Sequence, residues 1–412
     1  MSELPGTGKT VMTPKFSTKT NPKQMRHRFR VFILLNLFTI LFIVNSSHAA
    51  SMRPVRVLLG ESVRSAEIST SSSLTIADAQ NGKRLKTGQV SKVRIARNSR
   101  GLQIDGQVFP LERVKISAGG APISFNGKLY SGEFEIGKGA VRELDVINHI
   151  AIEEYLKGVL PLEMPPKWPL EALIAQSIAA RTYTLYKMEE TARKSWDVVA
   201  TTEDQVYGGK AREVETTNRA VTISKGITLT YEGKPARAYY HSTSGTRTEN
   251  SKVVFSEESI PYLKGVSCIF DIESPHRFWK EDIPFAEIEE RLRKNGIATG
   301  KLIKLTPKSF TSSGRINELN LHTTSDKTVI KATLFRKLMG TTRIKSTWFR
   351  MRNRLDSVTL SGRGFGHGVG LCQWGARGMA ERGMGYKKIL MHYYPGTTLS
   401  PSEITVGYSE GI

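Results

Sequence analysis

Between residues 55 and 146, apolar and polar positions alternate in short runs, as in Val55-Arg-Val-Leu-Leu59 and Val90-Ser-Lys-Val-Arg-Ile95. β-Branched residues in such a pattern predict half-buried strands. Asp105-Gly106, Gly119-Gly120 and Asn126-Gly127 break the runs and predict turns. Residues 51–130 are therefore expected to form a β-rich N-terminal region. The period changes after Trp168-Pro169. Leu170, Leu173, Ile174, Ser177, Ile178, Leu185 and Met188 fall on one helical face, and Ala172, Ala175, Ala179 and Tyr183 occupy the other. A helix without a polar face is a buried helix. Arg181 is the only charge between Glu171 and Lys187 and lies amid the Leu/Ile face. A buried guanidinium must be paired, and Asp204 and Glu163 are the candidate carboxylates.

Further on, strands are expected over 221–231, 236–241, 301–311, 315–322 and 356–371, with Glu232-Gly233 as a turn. Helices are expected over 284–294, 373–382 and 386–394, the last stopped by Pro395-Gly396. Strands and helices are segregated more than alternated, which predicts an α+β fold. There is no internal repeat.

Charge narrows the partners. The 412 residues include 60 Lys+Arg against 38 Asp+Glu, a formal net charge of +22, with 39% hydrophobic and 24% charged residues. That is a globular composition with a basic surface, suited to a polyanion. It excludes disordered, collagen-like, disulfide-scaffold and multi-span membrane classes. The N-terminus chooses among polyanions. Met25-Arg-His-Arg-Phe-Arg30 precedes a nearly unbroken apolar run over 31–44, and Ser47-His-Ala-Ala50 offers small residues for cleavage. This reads as a signal peptide over 1–50, or else an N-terminal anchor. Export to the periplasm or cell envelope argues against nucleic acid and for a cell-wall polymer or membrane surface. Segment 1–50 carries seven Lys+Arg and one Glu, so the mature part stays near +16.

Three sets of residues offer chemistry. Gly362, Gly364, Gly366, Gly368 and Gly370 recur at every second position. Within a strand they would share one face, with His367 on the other, and let a backbone or a flat ligand approach. Glu163 stands among Leu, Met, Pro and Trp in a proline-bounded loop. Desolvation there would raise its pKa toward that of a general acid, although the position also suits a cap or a solvated charge. Cys268 and Cys372 are the only cysteines. They suit a disulfide, two buried thiols, or a metal site with His241, but no C-x-x-C or H-x-x-x-H spacing supports zinc.

Several blocks resemble the stage II sporulation protein D (SpoIID/LytB) family. They are Tyr155-Leu-Lys-Gly-Val-Leu-Pro-Leu-Glu-Met-Pro165, then Trp168-Pro-Leu-Glu-Ala-Leu-Ile-Ala-Gln-Ser-Ile-Ala-Ala-Arg-Thr-Tyr183, Asp204-Gln-Val-Tyr-Gly208, Tyr240-His-Ser-Thr-Ser-Gly245, Pro261-Tyr-Leu263 and Gly366-His-Gly-Val-Gly-Leu-Cys-Gln-Trp-Gly-Ala376. They follow family order and assign 131–400 to a catalytic region. The resemblance implies a lytic transglycosylase that cleaves the MurNAc–GlcNAc bond of peptide-free glycan strands and leaves 1,6-anhydro-MurNAc ends. It places the catalytic acid–base on Glu163. It further implies that Arg181, Tyr207, His241, His367 and Gln373 bind substrate, with Trp168 and Trp374 available to stack on sugars. A non-catalytic amidase enhancer is the alternative within the same family. Peptidoglycan strands and a cell-wall amidase or a division or engulfment protein are the implied partners. The chain departs from relatives at Thr246, where many have glycine, and at Ser244 and Asp271, where some have cysteine. These departures leave zinc through His241 and Cys268 unexpected, and no cofactor is expected.

Overall fold

The computed structural model describes residues 52–85, 90–139, 143–255, 259–297 and 300–401. The expected signal peptide or anchor over 1–50 lies outside them. No helix among the described residues is long and apolar enough to cross a membrane. The fold is α+β: a large N-terminal sheet, then helices with small sheets.

An eleven-stranded sheet dominates the N-terminal half. Its long strand Ser65–Asp78 serves two neighbourhoods. Ser65–Ser69 pair with strand Val90–Asn98, whereas Thr75–Asp78 pair with strand Arg113–Ser117. Alternation buries one face: Ala66, Ile68, Val93, Ile95, Val114, Ile116, Phe134 and Ile136 are all inaccessible. The expected turns are present. Asp105-Gly106 and Asn126-Gly127 both adopt positive φ and join antiparallel strands as two-residue hairpins, the conformation that Asn-Gly and Asp-Gly favour. Strand Leu144–Ile150 lies beside strand Val55–Val63 and leads into the helices.

Helix α1 spans Ile152–Glu163 and helix α2 spans Leu170–Glu190. Glu163 therefore ends a helix and does not stand in a loop. Pro161 lies inside the last turn of α1, and Tyr155, Leu156, Val159 and Leu160 supply a buried helical stripe. The prolines had masked that period. Helix α2 is the buried helix expected, with fifteen buried residues. Arg181 is fully buried and paired, but with Glu153 rather than Asp204 or Glu163: Nε donates to Oε1 at 2.9 Å and Nη2 to Oε2 at 2.6 Å. Helix α3 (Glu215–Ile223) takes up Val221, so the strand expected from 221 starts at Ile227 instead, in Ile227–Tyr231. Its turn at Glu232-Gly233 is present, both residues at positive φ. Helix α4 (Ser251–Phe255) follows.

Between Trp279 and Gly362 the chain builds a unit with its own core. Strand Trp279–Pro284, helix α5 (Phe285–Lys294), strands Leu302–Phe310, Ile316–Thr323 and Lys327–Lys331, helix α6 (Ala332–Met339) and strands Phe349–Asn353 and Ser357–Gly362 enclose Ile288, Leu292, Leu305, Leu319, Phe335 and Leu360. Trp279 pairs directly with Gly362, so the chain enters and leaves this insertion side by side. Helices α7 (Gln373–Glu381) and α8 (Tyr386–Tyr393) pack back against α2.

The strand expected over 356–371 ends at Gly362. Gly364, Gly366, Gly368 and Gly370 all have positive φ, so they do not form one face of a strand. They do allow the close approach that a face without side chains was expected to allow. A Cβ on Gly370 would lie 2.0 Å from the Tyr239 carbonyl, and one on Gly364 would lie 2.8 Å from that of Thr243.

Candidate active site

Glu163 is held where three segments meet. It is the last residue of α1, and its Oε1 accepts from the Val206 backbone N–H at 3.2 Å. Its Oε2 accepts from the Gln373 side-chain amide at 3.3 Å, from the first residue of α7. Burial pushes the carboxyl above its ordinary range, and the two hydrogen bonds pull it only partly back. The carbonyl end of α1 acts in the same sense, because a helix C-terminus disfavours negative charge.

A polar network lies beside it. Gln205 is fully buried and accepts from Tyr155 Oη at 3.2 Å and Thr184 Oγ1 at 2.8 Å. Its amide donates to Tyr240 Oη at 3.0 Å and to the Ala180 carbonyl at 3.2 Å. Burial raises the pKa of Tyr155 and Tyr240, and the Glu163 charge raises both further. Both phenols are therefore neutral, Tyr155 donating to Gln205 and Tyr240 accepting from it. Gln205, fixed from four sides, positions Val206 against Glu163.

The expected site residues divide. Gln373 touches Glu163 directly. His367 reaches the site through the backbone: its Nε2 bonds the Tyr240 carbonyl at 2.8 Å, and its Nδ1 accepts from Val369 N–H at 3.0 Å. That pair of bonds fixes a neutral ring with the proton on Nε2. Burial pushes its pKa down to about 4. His241 lies 5.5 Å from it, ring to ring, with Nδ1 on the Val369 carbonyl at 3.1 Å and a buried, unpartnered Nε2. Burial, then the neighbouring His367 and Arg315, hold His241 well below the usual histidine range. Tyr207 points into the core, its ring tilted against Tyr155 at 4.9 Å and Tyr130 at 5.6 Å and its hydroxyl on Asn148. Arg181 serves the Glu153 pair.

Beside the end of α1 opens a cavity of about 560 Å³ lined by Pro165, Lys167, Trp168, Pro169, Trp374, Arg377 and Glu381. Trp168 and Trp374 meet edge to face at 4.8 Å, and the Arg377 guanidinium lies 4.8 Å from the Trp374 ring centroid. Gln205, Val206, Tyr240 and Arg377 were not foreseen as site residues. The first three sit inside quoted blocks but carry no catalytic spacing, and Arg377 lies one residue past them.

Cys268 and Cys372 are buried free thiols. His241 is not with them: the cluster that forms is Cys268, Asp271 and Cys372. His241 instead bonds the Val369 carbonyl.

The profile of the family described as "Stage II sporulation protein" matches residues 140–231, which carry α1, α2, α3 and Glu163. The Stage II sporulation protein D of Bacillus amyloliquefaciens is 32% identical over 275 residues, 62% of this chain and 76% of that protein. The chain belongs to the stage II sporulation protein D family. The Amidase enhancer of Bacillus subtilis (strain 168) is also 32% identical, over 290 residues, but the match spans only 40% of that protein's length. An uncharacterized protein of Brachyspira hyodysenteriae is 34% identical over 258 residues, 62% of this chain and 68% of its own. Residues 269–370 match a domain of unknown function, nearly the bounds of the insertion. In this family member, then, Glu163 lies inside the matched segment 140–231, Gln373 lies beyond it, and the insertion lies between them in sequence.

Proposed function

We propose that this chain is an exported lytic transglycosylase acting on peptidoglycan glycan strands, with Glu163 as its single acid–base. What carries the reading is the setting of Glu163. Its carboxyl is pushed toward the protonated state and oriented by two donors, and the chain just after it, from Pro165, together with Trp374, next to its partner Gln373, lines a cavity with two indoles and cationic residues. Protonated Glu163 gives its proton to the glycosidic oxygen of the MurNAc–GlcNAc bond. The MurNAc 6-hydroxyl attacks C1 as that bond breaks, and the Glu163 carboxylate takes the hydroxyl proton. No water is consumed, and the acid is regenerated.

A hydrolase would need a second carboxylate flanking the bond. The candidates are committed elsewhere: Glu381, which lines the cavity, accepts from Arg377 Nε at 2.7 Å. Asp204 accepts from Tyr183 Oη at 2.6 Å and from Val199 N–H at 2.9 Å, and Glu171 accepts from Tyr386 N–H at 2.6 Å. Lys167 and Arg377 at the cavity suit the lactyl carboxylate of peptide-free MurNAc. The match to the Amidase enhancer supports a second reading, a wall-binding protein that stimulates an amidase.

Purified protein incubated with peptide-free glycan, no amidase present, separates the two. The expected product carries a 1,6-anhydro end, lighter by one water than the hydrolysis product. Glu163→Gln keeps shape and folding but moves no proton, so cleavage should fall by about 10²–10⁴ or more. Absence of turnover by the wild type leaves the amidase-enhancer reading. Reducing-end products overturn the single-carboxylate mechanism.

A further inference from the structure

The positive charge of the chain is concentrated in the insertion. Residues 279–362 hold 17 Lys+Arg against 8 Asp+Glu, or +9, more than half of the +16 outside segment 1–50. The cavity beside α1, lined by two cations and one carboxylate, does not account for it. In the three-stranded sheet of the insertion, Trp279, Ile283, Phe349, Val358 and Leu360 turn inward to the core. Alternation turns Lys280, Ser361, Arg350 and Arg352 outward, and all four are exposed. Register aligns them: Lys280, Ser361 and Arg350 form one row, and Asp282, Thr359 and Arg352 another. At the end of the same strands, the Arg363 guanidinium lies 3.4 Å from the Trp348 ring centroid. Arg277 stands 5.7 Å from that of Phe278, which is 70% exposed. Among the described residues, no carboxylate pairs with Arg277, Arg350, Arg352 or Arg363, and Arg363 Nε is buried without a hydrogen-bond partner. Burial, then the charges of Arg350 and Arg277, hold the Arg363 pKa below its ordinary range, with Asp271 opposing. The acid of the face, Asp282, accepts from Thr359 Oγ1.

We propose that this sheet face is a second binding surface, for a linear envelope polymer with a phosphodiester in every repeat: a phosphodiester-linked polyol. Guanidinium groups suit phosphate, because the planar fork meets two oxygens at once. Arg350 and Arg352 lie two residues apart on one strand, roughly 7 Å, with Lys280 and Arg363 beside them. So dense a row suits a polymer charged at each short repeat. Peptide-free glycan carries one carboxylate per disaccharide and leaves most of these cations unmatched. The aromatic rings point the same way. Trp348 already carries the Arg363 guanidinium on its face, so it fixes a cation rather than offering a platform to a sugar or a base. Bringing three guanidinium groups together without carboxylates costs repulsion, which a bound polyanion relieves. The surface is flat, and an extended chain can lie along strand Phe349–Asn353, which pairs on one side only in its sheet. The inference depends on export of the chain but not on cleavage by Glu163.

Fluorescence anisotropy of an end-labelled poly(glycerol phosphate) oligomer, titrated with the full chain, tests the surface. Binding should weaken as salt rises, with a log–log slope that reports the cations engaged. Arg350→Gln combined with Arg352→Gln should weaken binding by about ten-fold or more and lower that slope by about two. Both side chains are exposed, so melting should not change. Arg363→Lys keeps the charge but loses the fork, and should weaken binding with little change in slope. Lys304→Gln combined with Lys327→Gln removes the same charge from the other sheet of the insertion, where both flank His322. That pair should cost clearly less. Equal losses for the two double variants would mean that net charge alone attracts the polymer, and would overturn the assignment of this face. No binding of the probe by the wild type overturns the proposal. So does a loss in the Arg350/Arg352 variant that appears only with peptide-free glycan, duplex DNA or phosphatidylglycerol vesicles, and not with this probe.

Discussion

Arg181 and Glu153 provide the sharpest test of how the core is held. The guanidinium is fully buried and makes a two-pronged pair with Glu153. Its other partners are neutral: the Ile227 carbonyl at 3.2 Å, the Val221 carbonyl at 3.4 Å and Ser224 Oγ. The carboxylate differs, with a side chain 20% exposed against 1% for arginine. It also accepts from Gly226 N–H at 3.2 Å. Removing one member of a buried pair costs about 3–5 kcal/mol because the other is stranded. The asymmetry in exposure ranks the two losses. Glu153→Ala strands a cation that water cannot reach, so it belongs near 5 kcal/mol. Arg181→Met strands an anion that water and Gly226 can still serve, so it belongs near 3 kcal/mol. Replacing both with apolar residues, as Glu153→Leu with Arg181→Met, should cost less than Glu153→Ala alone, since no charge is left behind. Urea denaturation followed by tryptophan fluorescence gives all three values and the coupling energy. Single losses under about 1 kcal/mol, or a double variant equal to the sum of the singles, would refute the pairing as the reason that a charge sits in this helix.

Two further outcomes follow from single residues. Because burial raises the Glu163 pKa in the folded state, the native protein binds more protons than the unfolded chain, and its stability falls as pH rises from the ordinary Glu value through the raised one. Glu163→Gln does not titrate, so its Tm relative to wild type should climb between pH 4 and pH 8; a constant difference would mean that the carboxyl is not perturbed. Gly370→Ala combines a φ of +70° with a Cβ 2.0 Å from the Tyr239 carbonyl, whereas Gly82→Ala has nearly the same φ, +71°, and nothing within 4 Å. The second should cost only the left-handed strain of about 1–2 kcal/mol and the first clearly more; equal losses in thermal denaturation would sink the close-approach account.

Much of the fold was legible where one residue type forces one conformation. Asp105-Gly106, Asn126-Gly127 and Glu232-Gly233 are read correctly because both turn positions need positive φ, which few other pairs supply. Helix α2 is legible because it is apolar on every face, and the need for a partner to Arg181 follows from that burial. The partner itself was not legible. Glu153 lies 28 residues upstream, and no pattern distinguishes it from Glu163 or Asp204, which sit in more conspicuous blocks. Helix α1 was hidden by Pro161 and the prolines after it. The alternating glycines mimicked a strand because period two is the strand signature, yet glycine alone takes the positive φ that ends one. For the insertion, individual strands and helix α5 were readable, but not that Trp279 and Gly362 pair. That pairing depends on a contact across the whole segment.

The same non-local logic explains why the acid at Glu163 cannot be understood from its own block. The residue contributes only a carboxyl at a helix end. Its orientation comes from Val206, which Gln205 anchors through Tyr155, Thr184, Ala180 and Tyr240, and from Gln373, more than two hundred residues away. Gln373 is in turn fixed because α7 begins there. Trp374 N–H bonds the Ser242 carbonyl at 3.1 Å, and Gly375 N–H bonds the Cys372 sulfur that caps the helix. The glycines at 364, 366, 368 and 370 bring that helix start against strand Tyr240–His241, and His367 locks the two together through the Tyr240 carbonyl. A neutral histidine is the right lock: it donates to one backbone group and accepts from another. Were His367 protonated, its Nδ1 could no longer accept from Val369. The depressed pKa of His367 therefore protects the geometry of this junction.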